Sequence, residues 1–395
     1  MNIHTKHIQT SLLALALLTG SAQAETGDRL AEAYRIPQDA RGLLVAKVES
    51  VEFLKDNEYS GGIQKGYTLP GFRLSPRLIF FPHDNIKLEA GAYLLRYWGA
   101  RRYPCYAYSD IARWQGEQYQ HGFHALPWLR AQFSLGEHWN IVLGNIYGAG
   151  AHGLLEPLYN PELSLTADPE AGAQILFDTE RVHLDIWGSW DSFIFRGDTH
   201  QEAFTVGAAL RLRWNRPEAP VHFYTDVQAL AQHRGGEIDT ITVSSVQTLM
   251  NGAVAAGAVW NTRGRHVRAV GGEVSVAGYY QQAGELLPYD DGYGVYVRGW
   301  AEVHDFRVKA AFWHSKTFVP LFGSPFFGAV SQAESGVFYP KQQLVQWGAE
   351  YARSFGREYT VGVKADVYHH LGLGTSFSAG IFMRISPEFV IKRFR

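Results

Sequence analysis

The stretch NIKLEAGAYLL, residues 85–95, alternates between two kinds of side chain. Ile86, Leu88 and Leu94 belong to an apolar set, whereas Lys87 and Glu89 belong to a mostly polar set. Successive side chains of a strand point to opposite faces, so the stretch is predicted to be a strand with one apolar and one polar side. A soluble sandwich core and a lipid bilayer would both accept the apolar side, and the rest of the chain must decide between them.

The same period of two recurs along the chain. Further stretches that show it are HLDIWGSW (183–190), FTVGAALRLRW (204–214), GVYVRGWAEV (294–303), YTVGVKADVY (359–368) and FSAGIFMRI (377–385). The stretch RAVGGEVSV (268–276) loses phase, and a bulge at Gly271–Gly272 would restore it. The pattern predicts an all-β protein.

Short and long connections alternate between these strands. The short ones fall at 81–85, 135–138, 178–181, 215–220, 261–265, 303–305 and 355–358. The long ones fall near 56–68, 99–123, 147–169, 196–201, 233–249, 281–291, 319–340 and 370–374. Together they separate about sixteen strands between residue 42 and the C-terminus, the number expected of a large barrel.

This alternation is typical of a transmembrane antiparallel β-barrel in a bacterial outer membrane, with short periplasmic turns and long extracellular loops. Hydrocarbon offers no partner for backbone N–H and C=O groups, so only helices or closed barrels can span it. Aromatics near strand ends, such as Trp139, Trp214 and Trp260, fit interfacial girdles. The apolar set is therefore predicted to face lipid, and the polar set to face a lumen.

The N-terminal residues divide the chain further. The apolar run SLLALALLTG (11–20) follows Lys6 and precedes small residues at Ala22 and Ala24, which predicts a signal peptide over 1–24. Residues 25–41 are predicted to form a periplasmic lead-in, and 42–395 the barrel. The single cysteine, Cys105, excludes an internal disulfide. A formal net charge of −2 gives no basic excess for nucleic acid.

The layout resembles the sixteen-stranded porins of Gram-negative outer membranes. LKDNEYSGG (54–62), GYTLPGF (66–72), HGLLEPLYNPEL (152–163) and GAQILFDTERVHLDIWGSWDSFIF (172–195) are similar to an uncharacterised group of outer-membrane barrels. The resemblance covers about residues 50–215. It implies the fold and the location, and it carries over no functional residue.

The lumen is predicted to carry charges of both signs. The inward basic set is Arg73, Arg77, Lys87, Arg130, Arg211, Arg213, Arg298, Arg307 and Lys364, and the acidic set is Glu89, Asp185, Asp226, Glu302, Glu350 and Asp366. Such a lining could orient solutes in a wet channel, or opposite charges could pair across strands and fill the interior. Sixteen strands leave room for an aqueous channel.

The third long loop, residues 148–170, is a candidate constriction loop. It carries Glu156, Glu162 and Asp168. In one hypothesis it folds inward, and these acids face a basic wall of Arg73, Arg77 and Lys87. In the alternative it is an ordinary external loop.

Signals of an enzyme are weak in the sequence. His152, Ser164 and the pair Asp198 and His200 lie in loops, but no G-x-S-x-G elbow accompanies them. The adjacent His369–His370 would point to opposite faces of a strand, so they do not form a shared metal site. We therefore expect no catalytic residues, no metal site, no cofactor and no enzymatic activity.

The sequence predicts an outer-membrane, porin-like channel for passive diffusion of small polar solutes. The alternative is a non-conducting barrel that acts as a structural or docking subunit of a surface complex, with the aromatic-rich loops at 99–123 and 319–340 as docking surfaces. The expected partners are outer-membrane lipid and small polar solutes, without nucleic acid. The sequence leaves a homo-oligomer open.

Overall fold

The computed structural model describes residues 34–60, 62–98, 122–193, 201–236, 246–262, 264–284, 287–356 and 358–394. The predicted signal peptide, the first part of the predicted lead-in and nearly all of the connection at 99–123 lie outside these residues, as do Asp198 and His200.

The described chain forms one antiparallel sheet. The first eight strands are β1 (Leu43–Ser60), β2 (Lys65–His83), β3 (Ile86–Tyr97), β4 (Gly122–Leu135), β5 (Trp139–Asn145), β6 (Ala171–Asp178), β7 (Val182–Ser192) and β8 (Ala203–Arg213). The others are β9 (Val221–Arg234), β10 (Gln247–Asn261), β11 (Val267–Ala283), β12 (Asp291–Val303), β13 (Phe306–Lys316), β14 (Lys341–Phe355), β15 (Tyr359–His370), β16 (Gly374–Ile385) and β17 (Glu388–Arg393).

The sheet closes through β1. One edge of β1 pairs with β2, and the other pairs with β16 and then β17. Ser50 lies opposite Ile385 and Lys47 lies opposite Glu388, so the register continues unchanged from β16 into β17. These two strands form one stave that is interrupted near Pro387. The barrel therefore has sixteen staves, which confirms the predicted fold class.

The opening stretch behaves as its alternation predicts. Lys87 and Glu89 of β3 are each only 4% exposed and point into the barrel, whereas Leu88 between them is 39% exposed on the outer face. The same division holds on β7, where Trp187 is buried inside and Ile186 is exposed outside. The polar set is therefore the inner set.

The connections sort into two ends. The seven predicted short turns all join strand pairs at one end of the barrel, and the strand ends that the long connections join lie at the other end. One predicted boundary is wrong, because β1 runs to Ser60 and β2 begins at Lys65, which leaves only residues 61–64 between them. The stretch predicted as a loop near 56–68 is instead a long hairpin, since Asn57 still pairs with Tyr67.

The predicted bulge at Gly271–Gly272 is also wrong. The register shift between β11 and β12 lies at Val267/Ala269, and the alternation continues through both glycines. Gly271 points inward under Trp300, and a Cβ atom there would lie 2.2 Å from the indole ring. The pair is thus an inward glycine that accommodates a cross-strand aromatic, followed by an outward glycine.

The outer face carries a continuous apolar band. Val274 and Val276 of β11 are each more than half exposed, and they lie between the exposed aromatics Trp260 of β10 and Tyr280 of β11. An apolar band flanked by aromatics matches the lipid-facing surface of a membrane barrel. Within the described ranges, no helix is long and apolar enough to cross a membrane.

The band predicts a depth-dependent cost of charge. We expect Val276→Arg, in the middle of β11, to lower the free energy of unfolding by about 2–4 kcal/mol, because the guanidinium would lie in hydrocarbon. The matched control Val221→Arg, at the first residue of β9, should cost at most about 1 kcal/mol. Urea unfolding in lipid vesicles measures both, and equal costs would contradict the lipid-facing assignment of β11.

Candidate functional site

The connection between β5 and β6, residues 146–170, runs inside the barrel and is here called inner segment 1. It contains a 3-10 turn at Ala149–His152 and an α-helical turn at Leu163–Thr166. The N–H of Leu155 donates to the side chain of Gln228 in β9 (2.9 Å). The candidate constriction loop is therefore internal and not an external loop.

Glu156 anchors inner segment 1 to the far wall. Its carboxylate lies 3.0 Å from Lys309 Nζ on β13. It also accepts hydrogen bonds from Gln346 on β14 and from the hydroxyl of Tyr368 on β15, each at 2.9 Å. Three neighbouring strands thus converge on one buried carboxylate.

The other two acids of the segment reach different sectors of the wall. Glu162 accepts from Lys55 of β1 and from the hydroxyl of Tyr67 of β2. Asp168 Oδ1 lies 2.7 Å from His124 Nδ1 of β4. The three acids are spaced six residues apart, so each contacts its own part of the barrel.

The expected basic wall makes other contacts than those acids. Arg73 donates to a backbone carbonyl of the α-helical turn (2.7 Å), and Lys87 donates to the hydroxyl of Tyr147 (2.5 Å). Arg77 pairs with Glu89 on the neighbouring strand (3.3 Å). The wall therefore supports inner segment 1, but not through its three acids.

Most of the remaining lining charges pair inside the barrel. Arg211 and Asp226 form a two-pronged ion pair at 2.6 and 2.7 Å. The other ion pairs that include a predicted lining residue are Arg130 with Glu89 (3.3 Å), Arg298 with Glu273 of β11 (2.9 Å), Arg307 with Glu302 (3.8 Å) and Lys364 with Asp366 (3.4 Å). All of these pairs except Lys364 with Asp366, which lie on the same strand, join adjacent strands, and opposite charges on adjacent strands are the pattern expected of a filled interior.

Three predicted lining residues have other surroundings. Arg213 lies at the short-turn end and donates to the carbonyl of Thr179 (3.2 Å). Asp185 contacts His152 of inner segment 1 (2.7 Å). Glu350 lines the cavities described below.

A second connection also folds inward. Residues 317–340, between β13 and β14, are here called inner segment 2, and Phe318, Leu321 and Phe327 within it are buried. The N–H of Asn160 in inner segment 1 donates to the carbonyl of Phe322 (2.7 Å), so the two segments contact each other directly. The expected docking surface at 319–340 packs inside the barrel instead, because its aromatics bury apolar area there.

Among the cavities beside inner segment 1, two lie next to each other on the side of β14 and β15. Counting the space that is open to solvent, they span about 780 Å³ and about 680 Å³. Both are lined by Glu156, Pro161, Glu350, Lys364 and Asp366, so they adjoin. Their lining mixes both signs of charge with apolar surface.

His152 is held at both ring nitrogens. Nδ1 lies 2.7 Å from Asp185 and Nε2 lies 2.9 Å from Glu170, while the ring stacks on Trp187 with centroids 3.6 Å apart. Burial by itself lowers the pKa of His152, but the two carboxylates outweigh burial and raise it to about 10. With both nitrogens engaged, His152 is a structural cation and not a free base. Within the described ranges, no group of three or more His, Cys, Asp or Glu could hold a metal ion.

The raised pKa of His152 predicts a pH-dependent stability. The folded protein holds this proton up to about pH 10, whereas the unfolded chain releases it near pH 6.5. The contribution of the protonated His152 to the free energy of unfolding is therefore complete below pH 6.5, and it is lost as the pH rises towards 10. We expect His152→Gln to remove this part of the decline in unfolding temperature between pH 6.5 and 10. A wild-type decline that the variant reproduces in full would contradict the assignment.

The outer face of the barrel carries a polar contact between a histidine and a threonine. His369 Nδ1 at the end of β15 lies 2.8 Å from Thr375 Oγ1 at the start of β16. The hydroxyl of Ser60 at the end of β1 donates to the backbone carbonyl of Thr375. These residues lie at the end with long connections, which is the extracellular end of an outer-membrane barrel.

Sequence reasoning considered His369 only as a metal ligand and did not consider Thr375. The signal was present in the hairpin, because both residues lie three positions from Gly372 at its centre, and Gly372 and Gly374 adopt positive φ values of 95° and 102°. A tight turn centred there places the two side chains opposite each other on one face. Strand periodicity without the turn register could not show this.

A family model described as lipid A 3'-O-deacylase-type matches residues 36–394. No curated protein matches the chain. The chain is an outer-membrane β-barrel, in agreement with the location predicted from the sequence.

The solved structures that are similar to the chain include the following three barrels. OprD from Pseudomonas aeruginosa is 8% identical with a TM-score of 0.49, over 89% of this chain and 96% of that one. OccK2 (OpdF) from P. aeruginosa, in complex with glucuronate, is 9% identical with a TM-score of 0.48, over 89% of this chain and 100% of that one. A loop-deletion mutant of OmpT from Vibrio cholerae is 11% identical with a TM-score of 0.46, over 88% of this chain and 100% of that one. These values say nothing about what this chain binds.

The expectation that the chain is not an enzyme is wrong. The matching family is described by an enzymatic activity, and the match covers nearly the whole barrel. The expectation relied on the lack of a contiguous catalytic motif. A site assembled from side chains on several strands need not leave such a motif, because catalytic arrangements are defined by geometry and not by sequence position.

Proposed function

Because the chain belongs to the lipid A 3'-O-deacylase-type family, we propose that it hydrolyses an ester-linked acyl chain of a lipid A-type glycolipid in the outer leaflet. The observation that carries the proposal is the contact between His369 and Thr375 on the outer face at the extracellular end (2.8 Å). A nucleophile and its base lie within this distance in enzymes that act through covalent acyl intermediates.

The position of the pair suits a substrate that stays in the membrane. Phe377 follows Thr375 by two residues on the same face and is 48% exposed, and Leu371 in the turn is 52% exposed. Acyl chains can lie against these apolar side chains while the ester remains at the level of the hydroxyl. The substrate would therefore reach the pair by lateral diffusion, without entering the barrel.

The chemistry follows from the two side chains. A neutral His369 accepts the proton of Thr375 Oγ1, and the oxygen attacks the ester carbonyl carbon. The bond to the sugar oxygen breaks, and that oxygen takes the proton from His369. Water then loses a proton to His369 and attacks the acyl carbonyl carbon. The bond to Thr375 Oγ1 breaks, Oγ1 takes the proton back from His369, and the acyl group leaves as a fatty acid. Ser60 is a positioning residue, because its hydroxyl holds the backbone of Thr375.

Two variants test this proposal. We expect His369→Gln and Thr375→Val to lower fatty-acid release from purified lipid A by about 10²–10⁴-fold, since each removes one participant in proton transfer. Mass spectrometry of the lipid measures the release, and heat-modified gel mobility checks that each barrel is folded.

The barrel provides a matched control. His233 Nδ1 of β9 lies 2.9 Å from Thr248 Oγ1 of β10, which is a second His–Thr contact at the extracellular end. That imidazole packs near Phe204 (centroids 5.1 Å apart). His233→Gln should leave the rate unchanged. Loss of activity in this variant with full activity in His369→Gln would assign the reaction to the other pair, and no release by the wild type would contradict the proposal altogether.

Passive diffusion of small polar solutes is the second candidate. It is favoured by the charged cavities beside inner segment 1. Against it stand the two inner segments and the paired lining charges. We therefore expect the intact chain to give no stable conductance steps in a planar bilayer.

A deletion variant completes this measurement. Removal of residues 150–166 takes out Glu156 and Glu162, the anchors of inner segment 1, and should produce steps of conductance in a chain that otherwise remains a barrel. Stable steps from the intact chain would favour solute diffusion, and the sign of the reversal potential in a salt gradient would show which lining charge dominates.

A further inference from the structure

Two lysines lie directly opposite each other on the outer face. Lys316 ends β13 and Lys341 begins β14, and the two are register partners. Both side chains are exposed, and both occupy outward positions of the alternation. Like charges at directly opposed positions destabilise a sheet. The arrangement therefore has a cost unless an anion lies between the two ammonium groups.

The described surroundings do not neutralise this pair. Neither lysine forms an ion pair with a described residue, whereas most lining charges inside the barrel do. The neighbour of Lys316 on β12 is the exposed Tyr293. Asp291 lies two residues from Tyr293, on a diagonal of about 7–8 Å that a lysine side chain can span, but it forms no ion pair with Lys316 among the described contacts.

The pair lies at the level of lipid headgroups. It flanks inner segment 2 at the end with long connections, beyond the apolar residues Phe312 and Val345 of the same two strands. In an outer membrane this end faces the outer leaflet. A lipid headgroup in that leaflet can reach both lysines from the side.

We propose that Lys316 and Lys341 form an anion site for a phosphate group on the headgroup of a phosphorylated outer-leaflet glycolipid. Ammonium groups bind phosphate as point charges. This inference rests on the proposed function in one respect, namely that the same glycolipid is the substrate.

The register relates the lysines to the reacting pair. Val345 lies opposite His369 across β14 and β15, and Lys341 precedes Val345 by four residues on β14. Four residues of strand span about 13 Å, and adjacent strands are about 4.8 Å apart. A headgroup held by the lysines thus extends along β14 towards His369 and Thr375, which makes both lysines positioning residues.

The test is a binding measurement on the purified full chain. Vesicles of neutral phospholipid are doped with lipid A that carries its phosphates, or with the same lipid A after phosphatase treatment. We expect the double variant Lys316→Gln, Lys341→Gln to bind the phosphorylated lipid about tenfold more weakly, which is 1.4 kcal/mol, and to bind the dephosphorylated lipid as the wild type does. Lys65→Gln, a single exposed lysine at the same end, is the matched control and should bind normally.

A second variant separates binding from structure. Lys341→Glu creates an opposite-charge pair with Lys316, so it should raise barrel stability and still abolish phosphate-dependent binding. If it binds the phosphorylated lipid as the wild type does, the proposal is overturned. Competition by inorganic phosphate at the same strength as the lipid would assign the site to free phosphate and overturn the lipid assignment.

Kinetics distinguish failure of this inference from failure of the proposed function. The double lysine variant should raise KM about tenfold and leave kcat unchanged, whereas His369→Gln should lower kcat and leave binding intact. Phosphate-dependent binding without any hydrolysis would retain the anion site and reject the deacylase. Hydrolysis with unchanged binding in the lysine variants would do the reverse.

Discussion

The structure depends on the need of every backbone N–H and C=O in hydrocarbon to find a partner within the protein. The sheet meets this need by closing through β1, which pairs with β2 on one edge and with β16 and β17 on the other. Closure forces each strand to place alternate residues in lipid and in the interior. The inward residues of the strands therefore determine which contacts the interior of the barrel can form.

The inward positions carry charge, and the interior is arranged to neutralise it. Ion pairs such as Arg211 with Asp226 join neighbouring strands. Carboxylates of inner segment 1, above all Glu156, contact inward side chains of several strands, among them Lys309 and Tyr368. Inner segment 2 then adds a hydrophobic core at the long-connection end. In a barrel filled in this way, the outer surface is the more accessible of the two faces to a membrane lipid.

On the outer surface, the register of the sheet fixes the distance between the two polar features. The His369–Thr375 contact follows from a tight hairpin, and the lysine pair follows from the pairing of β13 with β14. Because the strands between them are fixed by backbone hydrogen bonds, the separation of the two features is also fixed. A membrane-embedded substrate that contacted one of them would therefore lie at a defined distance from the other.

The sequence by itself determined the barrel, its sixteen staves, the identity of the inward and outward faces and the short turns, because period two and turn composition are local properties. It misplaced the end of β1 and the bulge of β11, since both depend on the neighbouring strand. Only the tertiary structure decided that residues 146–170 and 317–340 fill the interior, which partners Glu156, Glu162 and Asp168 contact, and that His369 meets Thr375. These are contacts between strands and segments distant in the chain or related by a turn register. The contacts of the two inner segments depend on the closure of the sheet around them, which no single stretch of sequence displays, whereas the contact of His369 with Thr375 depends on the register of one hairpin.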